Sequence, residues 1–203
     1  MDIWNDGQAV GTKDALIAVE EYLTAFENGD FEALTDVLSP NEQTRFVRVC
    51  ENSCTYFDTW SYDYHQRYSA YKMAEGTALL DRSCALTDST NTEAVVTCEY
   101  DEHEYVASVV GAPATPTVAT ITVTRHGIGA IELAYEGEAP ADAAQSQFKS
   151  WMSRVHPDQW GSVGRSTWTS LEDATAKGHL TAQYGDAWAT YLDDAGCTYL
   201  DGC

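Results

Sequence analysis

Basic residues are scarce in this chain: 11 Lys and Arg stand against 32 Asp and Glu, giving a formal charge of −21 over 203 residues. Such a surface repels phosphate backbones and anionic lipid, which excludes nucleic-acid binding and docking on a membrane surface. Runs of like charge are missing as well, so the acidity reads as a solvated surface that keeps the protein soluble, not as an acidic recognition patch. No segment approaches the roughly 20 consecutive apolar residues of a spanning helix, so no integral membrane segment is expected. There is no Gly-x-Ser-x-Gly elbow and no glycine-rich phosphate loop; Gly127-Ile128-Gly129 reads instead as a hairpin turn that needs positive φ. Repeats and low-complexity tracts are absent. The length admits one domain with a real core and an appended extension.

Metal-ligand spacing is lacking too. The six cysteines form three sequence-local couples, Cys50/Cys54, Cys84/Cys98 and Cys197/Cys203. None repeats the short pair that structural zinc prefers, and His65, His103, His126, His156 and His179 stand in no ligand register with them. Neither a metal nor another cofactor is expected. An even cysteine count favours disulfides, and disulfides imply an export route. The chain opens Met1-Asp2-Ile3-Trp4-Asn5-Asp6-Gly7, without the basic residues or apolar run of a secretion signal. The expectation is therefore an extracellular or cell-envelope protein whose signal or lipoprotein leader has been removed, Met1 being an artificial start.

What is present begins with two helices in Ala15–Pro40. Leu16, Val19, Leu23 and Phe26 recur at helical steps, with Thr12 as the expected cap and Asp14 adding negative charge near the N-terminus. Gly29 ends this helix, Asp30 caps the next, Leu34 and Leu38 carry its apolar side, and Pro40 blocks extension. Thr44–Cys50 reads as a strand and Trp60–Glu75 as a third helix, on which Trp60, Tyr64, Tyr68 and Tyr71 form an aromatic stripe read as core or as cavity lining. Ala78–Thr87 and Glu93–Glu102 flank a polar turn. Folding that hairpin about Asn91 sets Cys84 opposite Cys98, Leu86 opposite Val96 and Asp81 opposite Asp101. Of the possible bridges, Cys84–Cys98 is the one the register supports directly; Cys50–Cys54 and Cys197–Cys203 are expected beside it.

After a helical turn within His103–Val110 and a loop to Pro116, Thr117–Arg125 and Ala130–Tyr135 form a second hairpin. Two hairpins make an antiparallel sheet of at least four strands, and the first helices cover one face, the pattern of an α+β fold. Beyond Pro140 the texture is helical: a helix from about Asp142 to Val155 stops at His156-Pro157, and Asp158–Thr169 reads as loop. Ser170 and Asp173 cap a last helix, continuous or divided at Gly178, that Gly196 ends, with Tyr184, Trp188, Tyr191 and Leu192 on its apolar side.

The run Val19-Glu20-Glu21-Tyr22-Leu23-Thr24-Ala25-Phe26-Glu27-Asn28-Gly29-Asp30-Phe31-Glu32-Ala33-Leu34 resembles the opening of the nuclear transport factor 2-like superfamily, also called SnoaL-like or cone-fold proteins. The hairpin cysteines, the turn into Ile131 and the Phe148-Lys149-Ser150-Trp151…His156-Pro157 tract are similar to exported actinobacterial members. The resemblance covers residues 12–136, the expected cone domain, and leaves 137–203 as a C-terminal helical extension packed on it. It implies helices packed into a strongly curved antiparallel sheet around a cavity that holds catalytic groups, a small ligand or nothing, and it is nearly silent on function.

Three function classes follow. The first is binding of a small, partly apolar molecule in the cavity, lined by Tyr22, Trp60, Tyr64 and Tyr68. The second is a hydrolase or isomerase using Asp81, Asp101 or His103. Tyr22 stands at the spacing of the oxyanion-binding tyrosine of related ketosteroid isomerases, yet Phe46 and Thr120-Ile121-Thr122 occupy the places of that chemistry's carboxylates. Asp81-Arg82 and Asp101 are similar to the Asp-Arg-Asp set of limonene-epoxide-hydrolase relatives, except that Arg82 has the opposite strand parity to Asp81. Asp101-Glu102-His103-Glu104 supplies carboxylates and an imidazole within four residues. The third class is a structural module, a homodimer formed through the sheet.

Overall fold

The computed structural model describes residues 10–39, 46–50, 55–56, 62–135, 139–163, 167–201 and 203. Pro40, Cys54 and Trp60 lie outside the described residues, and with them the proposed Cys50–Cys54 bridge. The chain forms two compact units: Met1–Gln66, Leu79–Asp101 and Pro116–Glu136 in the first, Arg67–Ala78, Glu102–Thr115 and Gly137–Cys203 in the second.

The first unit opens with α1 (Thr12–Asn28) and α2 (Phe31–Asp36). Ala15, Ala18, Val19, Tyr22 and Leu23 form the buried side of α1. Gly29, at φ 67°, closes it in the left-handed conformation, and Asp30 accepts a hydrogen bond from the Ala33 amide at 3.0 Å to cap α2. The start of α1 differs from expectation. Gly11 is the capping residue and Thr12 is already helical, so its hydroxyl cannot take the capping position.

Six strands follow: β1 (Phe46–Cys50), β2 (Thr55–Tyr56), β3 (Ala78–Ser89), β4 (Glu93–His103), β5 (Thr115–Thr124) and β6 (Gly127–Tyr135), in the order β2-β1-β6-β5-β4-β3. The two expected hairpins are the curved antiparallel part, β3 to β6. Cys84 and Cys98 are disulfide-bonded across the first of them. In the second, Thr117 pairs with Tyr135 and Thr124 with Gly127, with a bulge between Thr122 and Val123, a device that bends a strand. On the other side of β6 lies β1, and it runs parallel, Phe46 opposite Ile131. A parallel neighbour demands a long crossover, which the intervening elements supply.

The second turn is tighter than expected. Arg125-His126 alone make it, β6 begins at Gly127, and of the turn glycines only Gly127 has positive φ, at 109°. A Cβ there would stand 2.6 Å from the Val37 carbonyl oxygen. The reason is a stitch between the end of α2 and β6: the Ile128 amide donates to Val37 O at 2.9 Å, and the Ser39 amide donates to Ile128 O at 3.0 Å. Val19, Leu23 and Leu34 of the helices and Val96, Ile121, Ile128 and Ile131 of the strands are buried in this unit. The fold is α+β, with helices packed on a curved antiparallel sheet, as the resemblance implied.

The second unit contains the later part of α3 (Tyr62–Glu75), then α4 (Tyr105–Ser108), α5 (Ala139–Val155), α6 (Pro157–Val163) and α7 (Leu171–Ala195). Phe148, Trp151 and Met152 of α5 and Trp188 and Leu192 of α7 form its core with Val106 and Ala107. Part of the tract expected as loop is α6. Pro157 ends α5 but also starts the next helix, because at a first helical position its missing N–H costs nothing. Ser170 Oγ caps α7 by accepting from the Asp173 amide at 3.1 Å, while Asp173 accepts from the Thr169 amide at 2.8 Å. Gly178 does not divide α7. It marks close approach to α3, where a Cβ would stand 2.5 Å from the Tyr71 carbonyl oxygen and 2.9 Å from the Glu75 nitrogen. Cys197 and Cys203 are disulfide-bonded after the left-handed Gly196.

Candidate functional site

Helix α1 brings Tyr22 inward at the step of its apolar face, and the first turn of α3 brings His65 to meet it. The Tyr22 hydroxyl and His65 Nε2 are 3.1 Å apart, and both side chains are buried, His65 to 1% exposure. Either tautomer serves: the phenol donates to a bare Nε2, or a protonated Nε2 donates to the phenol oxygen. Burial pushes the His65 pKa down to about 3, so the ring is neutral at physiological pH. The interior of the first unit thus contains a neutral, hydrogen-bonded phenol–imidazole pair.

Tyr64, the residue before His65, is half-buried in the same unit. Tyr68 belongs to the second unit, where its ring lies edge-on to Trp168 with centroids 6.1 Å apart. The aromatic stripe of α3 is therefore only partly buried. Apart from Ala70, the buried residues of α3 are polar: His65, Ser69, Lys72 and Glu75, at helical steps of four, three and three. Reading α3 by its aromatic residues alone missed this second stripe, although its period was present in the sequence.

Lys72 is matched by carboxylates. Its Nζ hydrogen-bonds Glu104 and lies 3.4 Å from Glu102, and Glu104 accepts a second bond from Gln145 Nε2 at 3.0 Å. Burial pulls the ammonium down, but the charge of Glu104, with Tyr68, Glu102 and Glu75, more than reverses this and holds it well above the usual lysine range. Lysine and glutamate are rarely this buried unless paired.

Asp81 and Asp101 both line a cleft of about 370 Å³ in the first unit, together with Glu99, Tyr100, Thr117 and Val118. Asp81 is exposed and adopts φ 53°, an uncommon conformation for a residue with a Cβ. Arg82 turns to α1 instead, pairing with Glu20 at 2.9 Å and Glu27 at 3.2 Å. His103, in the second unit, donates from Nε2 to the Ala112 carbonyl at 3.1 Å. Asp81 and Asp101 thus share one cleft, whereas His103 is engaged in a backbone contact. Among the described residues no group of three or more His, Cys, Asp or Glu side chains has the arrangement of a metal site, and no helix is long and apolar enough to cross a membrane.

No family model matches the chain, and no curated protein matches it. Among solved structures it is similar to an NTF2-like protein of unknown function from Cytophaga hutchinsonii, at 14% identity and TM-score 0.38 over 67% of this chain and 98% of that one. It is also similar to an uncharacterised bacterial protein with a cystatin-like fold from Silicibacter pomeroyi, at 15% identity and TM-score 0.41 over 71% and 90% of the two chains. PrhC from Penicillium brasilianum matches at 10% identity and TM-score 0.44 over 74% and 98%. Likenesses at this level transfer no residue role.

Proposed function

We propose that this chain, an α+β protein of the nuclear transport factor 2-like kind, binds one small, partly apolar, uncharged molecule in the interior of its first unit, with the Tyr22–His65 pair as the polar contact. The single observation behind this reading is the buried 3.1 Å phenol–imidazole bond. Binding sites are mostly apolar with a few well-placed polar groups, and a neutral pair adds polarity without burying charge. The depressed basicity of His65 disfavours a general base at neutral pH, which requires a pKa near 7. Native mass spectrometry with a panel of uncharged phenols, ketones and lactones tests this. One bound molecule per chain is expected, with affinity about tenfold weaker in Tyr22→Phe, the worth of one hydrogen bond. Failure of every compound to remain bound rejects the reading.

A second reading, a hydrolase or isomerase, is favoured by the shared cleft of Asp81 and Asp101, since neighbouring carboxylates can serve as acid and base. Turnover abolished in Asp101→Asn and unaffected in Tyr22→Phe would favour it over binding. The two disulfides support action outside the reducing cytosol.

A further inference from the structure

Four ionisable side chains of the second unit meet around the end of α3. Lys72 is engaged by Glu104 and Glu102. Glu75, less than one turn further along, is 1% exposed; neither of its carboxylate oxygens makes a close hydrogen bond among the described residues, and only the Thr77 hydroxyl beside it favours the ionised form by hydrogen bonding. One lysine therefore faces three carboxylates, and the carboxylate left without a close hydrogen bond is the most deeply buried. The backbone nitrogen of Glu75 would lie 2.9 Å from a Cβ on Gly178 of α7, so the helices are packed there without room for a side chain. An ionised carboxylate in such a place is costly unless paired.

We propose that Glu75 is a proton-controlled latch on the packing of α3 against α7: protonated, it leaves the seam closed, and ionised, it adds an uncompensated charge that loosens it. The groups facing it are Lys72 and Tyr71 of its own helix, the Thr77 hydroxyl just beyond that helix, and the carboxylates of Glu102 and Glu104. From α7 come Gly178 and Thr181, which accepts from the Tyr71 hydroxyl at 3.2 Å. The neighbouring charges of α7 turn elsewhere: Lys177 pairs with Asp173 at 3.0 Å, and His179 is exposed. Burial, followed by the charges of Glu104 and Glu102, pushes Glu75 up to about 7 against the opposing pull of Lys72. The latch thus changes state within the physiological range.

Hydrogen exchange of the full chain between pH 5.5 and 8.5, corrected for the intrinsic effect of pH, tests the latch. Protection of residues 71–75 and 171–185 is expected to fall about tenfold or more as pH rises from 5.5 to 7 and to level off above it, the equivalent of at least one pK unit of differential interaction, while β5 and β6 change little. Glu75→Gln is expected to remove the transition. Glu104→Gln, which takes away a repelling carboxylate and frees Lys72 to attract Glu75, is expected to keep it but move it to lower pH. The Glu104 variant decides the matter if Glu75→Gln fails to fold. A flat wild-type profile, loosening spread equally over both units, a transition that survives in Glu75→Gln, or one that stays at the same pH in Glu104→Gln each overturns the proposal.

Discussion

Cys84 and Cys98 stand opposite each other on β3 and β4, with Cα atoms 4.1 Å apart and a disulfide joining them. The bridge closes a loop with a sequence separation of 14, and restricting an unfolded chain over a loop of that size contributes about 3 kcal/mol. Replacing both by Ala is expected to lower the free energy of unfolding in urea by about 2–3 kcal/mol.

The buried groups of the two units have opposite effects on stability as pH changes. His65 falls from 6.5 to about 3 on folding, so below pH 6.5 the unfolded chain takes up a proton that the folded one refuses, and stability is lost as pH drops toward 3. Glu75 rises from 4.5 to about 7, so the folded chain retains a proton that the unfolded one releases, and stability is lost as pH rises from 4.5 to 7. Between pH 4.5 and 6.5 the two slopes cancel. Denaturant melts are expected to show His65→Gln losing about 1.4 kcal/mol per pH unit on raising pH through this window and Glu75→Gln gaining as much, with the wild type nearly level.

Two glycines separate close packing from open helix surface. A Cβ at Gly178 meets backbone atoms of α3 at 2.5 and 2.9 Å, whereas one at Gly161 on α6 meets nothing within 4 Å. Gly178→Ala is expected to destabilise by about 1–3 kcal/mol despite its better helix propensity, because backbone must move to admit it. Gly161→Ala is expected to stabilise by about 0.5–1 kcal/mol. Thermal melting distinguishes them by sign.

Removing the Tyr22 hydroxyl leaves His65 without its 3.1 Å partner. Tyr22→Phe is expected to cost about 1–2 kcal/mol in chemical denaturation without ligand, while Tyr64→Phe, at a half-buried position, costs less.

Much of the fold was legible because its signals are local. Gly29 and Asp30 carry their meaning in backbone freedom and a short side chain, Ser170 caps as its spacing suggested, and the strand period set Cys84 against Cys98. Pro157 misled and Gly178 left two readings open, for the complementary reason. Each residue type permits two outcomes, break or start for proline and break or close contact for glycine, and only the neighbouring chain selects one. The same holds for α3, where aromatic residues drew the eye while His65, Lys72 and Glu75 are the groups buried.

By itself, then, the sequence determined the helix ends, the hairpins and the acidic surface, since propensity, capping and charge act over a few residues or by simple summation. Tertiary structure alone decided that His65 meets Tyr22 across 43 positions, that Lys72 is met by Glu102 and Glu104, and that β1 runs parallel to β6. Those relationships depend on which distant segments share a desolvated interior, and burial, unlike periodicity, is a property no stretch of chain possesses before the rest has packed around it.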